Sequence, residues 1–316
     1  MNNYLKTLLV SLILGSLTIV CTGCSAVSYN RAEYIGILKS YPEYKYEHIE
    51  NIPEFTYAKS SDENLMKLKE AFNLVEVAGN RDEISKIINL MRWVHNIIEY
   101  DGNSKNPYPK NTFNIVKICH EENRGVNCRM IATILNEVYL SMGFKSRFVT
   151  CMPEKKDFKD SHVINEVYSI TLDKWIYMDP TFEAYFRDEN GNYLSIREVR
   201  ERLMSDKPLV LNDEINHNPA SSLYRFFFKL GILKFNKDDY VDYMSKNLFR
   251  LNSPVCSEFN SETKDKNRSY IELIPRDYNI KSNPEIKTYD GYETITHYTS
   301  NPDAFWKKPL DTSFSN

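Results

Sequence analysis

Apolar residues recur at three- and four-residue intervals along the first half of the chain, a spacing that predicts helices with one buried face. The first such stretch is Asp62–Val77, and Gly79 lies where that helix would end. A second helix is predicted to begin at Asp82, a good N-terminal cap. Its apolar face carries Ile84, Ile87, Ile88, Met91, Val94 and Ile98. His95 lies on the polar side of this helix, so we expect it to be solvated.

A third helix is predicted between Asn127, which can cap its start, and Gly143, a glycine typical of a helix C-terminus. Its apolar residues are Ile131, Ile134, Leu135, Val138, Tyr139 and Met142. Cys128 is in phase with this stripe and falls in the first turn. We therefore expect its thiol to face the core at the N-terminal end of the helix.

Three strands follow this helix. The first is predicted at Lys145–Cys151, and His162–Thr171 and Lys174–Asp179 are predicted to form a hairpin. Because the connecting loop has an even number of residues, odd positions on one strand oppose even positions on the other. Asp179 is then expected opposite Ile164 and diagonal to His162, within reach of its side chain.

Patterns are weaker after a further helix predicted at Ser195–Leu203. A helix is predicted at Asp239–Leu251 and a strand at Ser269–Ile274. The aromatic run Ser221–Phe235 is interpreted as core, with contact to membrane or substrate as the alternative. We accordingly divide the chain into a folded domain at 61–204 and a C-terminal extension of unknown role at 205–316.

The N-terminal residues 1–24 have the pattern of an export signal rather than of a domain. Lys6 precedes the largely apolar stretch Leu8–Val20, which is shorter than a membrane-spanning helix. The sequence Cys-Thr-Gly-Cys that follows resembles a lipobox, which predicts lipid modification of Cys24 and anchoring in the cell membrane. An uncleaved N-terminal anchor is the alternative, and in both cases the rest of the protein lies outside the membrane. The tyrosine-rich residues 25–60 are interpreted as a tether that lies partly on the domain.

Composition narrows the classes of function. The 316 residues are 42% hydrophobic and 26% charged, values ordinary for a globular protein. The net charge of -3 gives no indication of nucleic-acid binding. The six cysteines include no CxxC pair outside the N-terminal segment and are too few for a disulfide scaffold of this length. The sequence therefore predicts neither a structural metal nor a cofactor.

Three residues can together attack an amide bond. Nucleophilic catalysis by a thiol needs a base and a group that orients the base. A helix N-terminus and a neighbouring imidazolium both favour the thiolate form of a cysteine. Cys128 has the first feature by position, His162 can supply the second, and Asp179 can hold the imidazole in the required tautomer.

The residues around these three positions resemble the transglutaminase-like superfamily. Residues 125–132 (Gly-Val-Asn-Cys-Arg-Met-Ile-Ala) resemble its nucleophile motif, and 142–149 resemble the turn and strand that follow it. Residues 162–168 resemble its histidine strand, and 174–181 (Lys-Trp-Ile-Tyr-Met-Asp-Pro-Thr) its aspartate strand. Residues 93–101 resemble the helix that precedes the core, so that the resemblance covers about 82–182.

The resemblance implies an α+β fold with a papain-like core, in which the nucleophile helix packs on an antiparallel sheet. It implies a catalytic triad of Cys128, His162 and Asp179. It also places Tyr100 where the superfamily has its second oxyanion donor, usually a tryptophan; the alternative is a packed aromatic residue at a helix end.

The sequence leaves two hypotheses for function. The first is a surface-anchored thiol enzyme that hydrolyses or transfers amide bonds in a protein, a peptide or a cell-wall peptide. The second is a catalytically inactive domain that binds peptides in the same cleft. Reactivity of Cys128 separates them, because a catalytic thiolate is alkylated rapidly near neutral pH and a structural thiol is not.

Overall fold

The structure is a computed structural model, and it describes residues 30–40, 52–155, 160–218, 236–262, 267–280, 282–289 and 291–310. The predicted signal segment with Cys24 and the aromatic run at 221–235 lie outside these residues. Within the described parts of the chain, no helix has the length and apolarity needed to cross a bilayer.

Helices and strands are distributed along the whole described chain. The helices are α1 Arg31–Ser40, α2 Glu63–Ala71, α3 Leu74–Ala78, α4 Glu83–Ile97, α5 Thr112–Glu122, α6 Cys128–Ser141, α7 Ile196–Met204, α8 Lys237–Asn247 and α9 Pro302–Phe305. The strands are β1 Thr56–Tyr57, β2 Ser146–Met152, β3 His162–Ser169, β4 Lys174–Met178, β5 Phe186–Arg187, β6 Val210–Leu211, β7 Arg250–Pro254, β8 Cys256–Ser257, β9 Arg268–Leu273, β10 Glu285–Tyr289 and β11 Tyr292–Thr299.

Capping side chains set the starts of the two helices that flank the site. The Asp82 carboxylate accepts a hydrogen bond from the Ser85 amide at the start of α4, as the sequence predicts. The Asn127 side chain accepts one from the Met130 amide at the start of α6. The single helix predicted over 62–77 was wrong. Asn73 adopts the left-handed conformation (φ 49°), which ends α2 and lets α3 begin.

One seven-stranded sheet organises the protein. Its order is β10-β11-β9-β7-β2-β3-β4, and every neighbouring pair is antiparallel except β9 and β11. Strands β7, β9, β10 and β11 all lie beyond residue 249, so the sheet continues across the domain boundary predicted at residue 205. The fold is α+β: helix α6, which begins at Cys128, packs on a mainly antiparallel sheet to which C-terminal strands are added.

Helices cover both faces of this sheet. On one face, α4 and α6 pack against a core that includes Val167 and Ile176. On the other face, α7 and α8 pack against a second core that includes Ile164 and Tyr177. The alternation of side chains along β3 and β4 thus divides them between the two cores.

The hairpin of β3 and β4 has the predicted register. Ser169 pairs with Lys174 across a four-residue loop, and Asn165 pairs with Met178. Continuation of this register by one residue places Asp179 opposite Ile164, on the face of the sheet that α8 covers. The even loop length is therefore what puts the aspartate and His162 on the same face.

A buried arginine on the sheet contacts aromatic residues from distant parts of the described chain. The Arg147 guanidinium on β2 is fully buried and lies 3.0 Å from the Glu166 carboxylate. It also lies 4.3, 4.7 and 4.5 Å from the ring centroids of Phe55, Trp175 and Phe305, respectively. Since Phe55 belongs to the predicted tether, part of that segment packs on the domain.

Candidate active site

Cys128 opens helix α6 and is half-buried. Its side chain packs against Ala132, Phe148 and Val163, while part of its surface remains accessible to solvent. The sequence predicts a thiol that faces the core; the structure instead places it at the edge of that core, where a substrate can reach it. The Nδ2 atom of Asn127, the residue that caps α6, donates a hydrogen bond to Asn106 Oδ1 at 2.6 Å. This contact with a residue outside the helix holds the capping side chain in place.

His162 opens strand β3 and is buried between Cys128 and Asp179. Its Nε2 lies 2.6 Å from Asp179 Oδ2, so the other ring nitrogen, Nδ1, is the one left for the thiol. Burial alone would lower the pKa of His162. The Asp179 carboxylate and hydrogen bonds to Asp179 and Cys128 outweigh burial and raise the pKa to about 10. The ring is therefore an imidazolium at neutral pH, the form that pairs with a thiolate.

Asp179 follows strand β4 and is completely buried. Its Oδ1 accepts the Thr181 amide at 2.9 Å, and its Oδ2 accepts both His162 Nε2 and the Tyr240 hydroxyl, the latter at 2.7 Å. Backbone hydrogen bonds to Ala184 in both directions fix the chain at this position. A buried carboxylate with three donors has a fixed orientation, as an orienting residue requires.

Tyr100 lies beside the segment that leads to the nucleophile. A parallel bridge joins it to Val126, two residues before Cys128. Its ring makes an edge contact with His217, with centroids 5.3 Å apart. Burial first, and then the nearby Cys128, raise the pKa of Tyr100, so its hydroxyl remains a neutral donor. The structure thus brings Tyr100 into the surroundings of the thiol.

Sequence reasoning missed a group of aromatic residues that surround the imidazole. Phe182 and Tyr243 contact the His162 ring at centroid distances of 5.5 and 5.4 Å. His217 stacks on Phe182 at 5.4 Å, and burial lowers its pKa to about 4, so it is neutral. These residues follow Asp179 in the chain, and their spacing gives no signal of a site.

The expectation that His95 is solvated was wrong, because the residue is only 2% exposed. Its Nδ1 lies 3.0 Å from the Pro180 carbonyl oxygen and its Nε2 2.8 Å from Asn216 Oδ1. The turn after Asp179 and the segment around residue 216 fold over this side of α4. Helical periodicity could not indicate a second buried face formed by residues distant in sequence.

A buried carboxylate from the C-terminal part holds the first turn of α6. Glu262 accepts hydrogen bonds from Arg129 Nε at 2.7 Å and Nη2 at 2.9 Å. Burial would raise the pKa of Glu262, but Arg129, Lys110 and Arg268 outweigh it and lower the pKa to about 2. Because Arg129 follows Cys128 directly, this ion pair holds the chain beside the Cys128 thiol.

Among the described residues, no group of three or more histidine, cysteine, aspartate or glutamate side chains could hold a metal ion. Cys119, Cys128, Cys151 and Cys256 are free thiols. Cys119 and Cys151 are buried and Cys256 is exposed, and burial raises the pKa of the first two.

One family model matches the part of the chain that contains Cys128, His162 and Asp179. Residues 72–180 match the model of the transglutaminase-like superfamily. The matched range contains Tyr100, Cys128, His162 and Asp179 and ends directly after the last of them. This part of the chain, about a third of its length, is therefore similar to the transglutaminase-like superfamily. Tyr240 and the other residues of α8 lie outside the match.

Individual proteins were compared with the chain by sequence and by structure. No curated protein matches the chain significantly. Among solved structures, the chain is similar to a candidate cysteine protease from Cytophaga hutchinsonii, with 18% sequence identity and a TM-score of 0.29. The likeness covers 50% of this chain and 51% of that one, so the chain spans about half the length of its structural relative.

Proposed function

We propose that this protein is a cysteine hydrolase that cleaves amide bonds in proteins or peptides through Cys128, His162 and Asp179. The observation that carries the proposal is the 2.6 Å hydrogen bond between His162 Nε2 and Asp179 Oδ2 beside a half-buried thiol at a helix N-terminus. His162 is also hydrogen-bonded to Cys128, so the thiol has a base within reach, as nucleophilic catalysis requires.

The reaction follows from the positions of the three groups. The Cys128 thiolate attacks the carbonyl carbon of the amide, and the carbon–nitrogen bond then breaks as His162 gives its proton to the leaving amine. The resulting thioester is attacked by water, whose proton passes to His162; the carbon–sulfur bond then breaks, the acid product leaves, and the thiolate and imidazolium are restored. Asp179 keeps Nε2 protonated throughout, so Nδ1 is the nitrogen that exchanges the proton.

The negative oxygen of the tetrahedral intermediate needs donors. Cys128 supplies its own backbone N–H, since the first amides of a helix have no acceptor within that helix. We assign the second donor to the Tyr100 hydroxyl, because the backbone of Tyr100 pairs with Val126, two residues before Cys128, and burial keeps the pKa of the hydroxyl raised, so it stays protonated. We propose hydrolysis of the acyl-enzyme by water rather than transfer of the acyl group to an amine, since water is abundant and no site for an amine is evident at the described residues.

We also propose that the enzyme acts outside the cell membrane, anchored by lipid on Cys24. The basis is the lipobox-like sequence at 21–24. An extracytoplasmic position would expose the site to proteins, peptides or cell-wall peptides as substrates.

The test is turnover of a mixed peptide library with mass-spectrometric analysis of products. Cleavage adds one water at a backbone amide, deamidation converts a glutamine to glutamate, and transfer adds an amine supplied in the mixture. Cys128→Ala should abolish all three, whereas Cys256→Ala, at an exposed thiol on β8, should leave them unchanged. If the wild-type thiol of Cys128 is alkylated no faster than Cys256 and no product forms, the domain is not an enzyme.

A further inference from the structure

Two buried tyrosines form a chain of hydrogen bonds that ends on the triad carboxylate. Tyr240 on α8 is 2% exposed, and its hydroxyl lies 2.7 Å from Asp179 Oδ2. The same oxygen accepts His162 Nε2 at 2.6 Å. The hydroxyl of Tyr177 on β4, which is fully buried, is hydrogen-bonded to the hydroxyl of Tyr240.

The direction of these hydrogen bonds follows from the groups involved. An ionised carboxylate can only accept, so Tyr240 donates to Asp179. The oxygen of Tyr240 then accepts the proton of Tyr177. Burial is the first reason that the pKa of each tyrosine lies well above its usual value, so both remain neutral donors.

The ring of Tyr240 is held in place independently of its hydroxyl. It packs edge-on against Phe182 with centroids 5.2 Å apart and is stacked on Phe186 at 6.0 Å. Helix α8 itself is fixed at its start by Asn236, whose side chain accepts the Asp238 amide at 3.0 Å. Removal of the hydroxyl alone therefore leaves the packing that positions the ring.

We propose that Tyr240 is a positioning residue of the triad, which fixes the Asp179 carboxylate and shares its negative charge with His162. The inference rests on the proposed function for its catalytic meaning. Two donors on one oxygen compete for the same charge, so the Tyr240 hydroxyl limits how strongly Asp179 holds the imidazolium. Helix α8, from the part of the chain beyond the family match, thereby completes the site.

Tyr240→Phe in the full-length protein tests this directly. Without the hydroxyl, Oδ2 accepts only His162, so the Nε2–H bond should strengthen and its proton signal should move to lower field in spectra of isotope-labelled histidine. His162→Ala assigns the signal. Because the imidazolium is then held more strongly, its deprotonation, seen as the alkaline limb of the pH profile of Cys128 alkylation by iodoacetamide, should move to higher pH.

The matched control is Tyr139→Phe. Tyr139 is equally buried and its hydroxyl donates to the Ile87 carbonyl oxygen at 2.9 Å, away from the triad. It should lose similar stability and leave the His162 signal unchanged. Tyr177→Phe weakens Tyr240 as a donor and should move the signal in the same direction by a smaller amount; it also serves if Tyr240→Phe does not fold.

The outcomes separate this inference from the proposed function. If the His162 signal of Tyr240→Phe matches that of the wild type, the proposed role of Tyr240 is wrong, even if catalysis through Cys128 stands. The same result in Tyr177→Phe decides the question if Tyr240→Phe does not fold. Slow alkylation of wild-type Cys128 would instead remove the proposed function. The ring signals would still show whether Tyr240 positions the histidine–aspartate pair.

Discussion

Replacement of Asp179 by asparagine tests the electrostatics of the site most directly. The side chain keeps its size but loses its charge, and one of its two oxygens becomes an amide nitrogen. Oδ2 faces two donors, His162 and Tyr240, whereas Oδ1 faces only the Thr181 amide. We therefore expect the remaining oxygen to take the Oδ2 position, which preserves the histidine tautomer. The charge is lost, and so is the hydrogen bond from the Thr181 amide, because an amide nitrogen then faces that donor.

The magnitude follows from the pKa of His162. The difference between about 10 and the usual 6.5 corresponds to about 5 kcal/mol of stabilisation of the imidazolium, and Asp179 is the main source. Only part of this is expected in the rate, because the raised pKa of His162 means that the imidazolium is present before the reaction and not only in its transition state. In a serine triad the same change costs about 10⁴ in kcat. We expect a smaller loss here, of about 10- to 10³-fold.

The assay measures both the turnover rate and the rate of Cys128 alkylation as a function of pH. Mass spectrometry of the peptide that contains Cys128 gives the alkylation rate. Exposed Cys256 in the same molecule is the internal reference thiol. The imidazolium should deprotonate at lower pH in Asp179→Asn, so the alkaline limb of the profile should move down from about 10. Asp173→Asn, at the tip of the same hairpin with φ 51°, is the matched control.

Two results would contradict this reasoning in different ways. If Asp179→Asn melts normally and keeps the wild-type rate and pH profile, Asp179 is not part of the triad. If the variant unfolds while Asp173→Asn does not, Asp179 has a structural role in the turn before Thr181. The catalytic assignment would then rest on Cys128 and His162 alone.

Three further predictions concern other parts of the protein. Cys24→Ala should release the protein from membranes or leave an unprocessed precursor; unchanged fractionation and mature mass would exclude lipidation at that residue. Tyr100→Phe should lower kcat by about 10- to 10²-fold without a change in Cys128 alkylation, and equal losses in both would exclude an oxyanion role. Glu262→Gln should destabilise the fold by about 2 kcal/mol and slow Cys128 alkylation, since Arg129 loses its charge partner. Because the folded-state pKa of Glu262 is depressed, its contribution is present above pH 4.5 and lost as pH falls towards about 2 in melting experiments, a dependence that the variant should lack.

The hairpin of β3 and β4 and the helix that begins at Cys128 could be predicted from the amino-acid sequence. The start of α6 after Asn127 follows from a capping side chain, and the shared face of His162 and Asp179 follows from the loop of four residues. Both are local: a cap acts within one turn, and the register of a hairpin is set by the residues that join its strands. Local patterns of this kind can be read without the rest of the chain.

The residues that surround Cys128, His162 and Asp179 could be identified only from the tertiary structure. Tyr240 reaches Asp179 across 61 positions, and Glu262 reaches Arg129 across 133. The pattern around Tyr240 predicts a helix, but a period of 3.6 indicates only that one face is buried and not which residues it contacts. The burial of His95 could not be predicted for the same reason: the polar face of α4 is buried because residues 180 and 216 fold over it. Contacts between distant segments depend on how the sheet brings them together, and the sequence of neither segment contains that information.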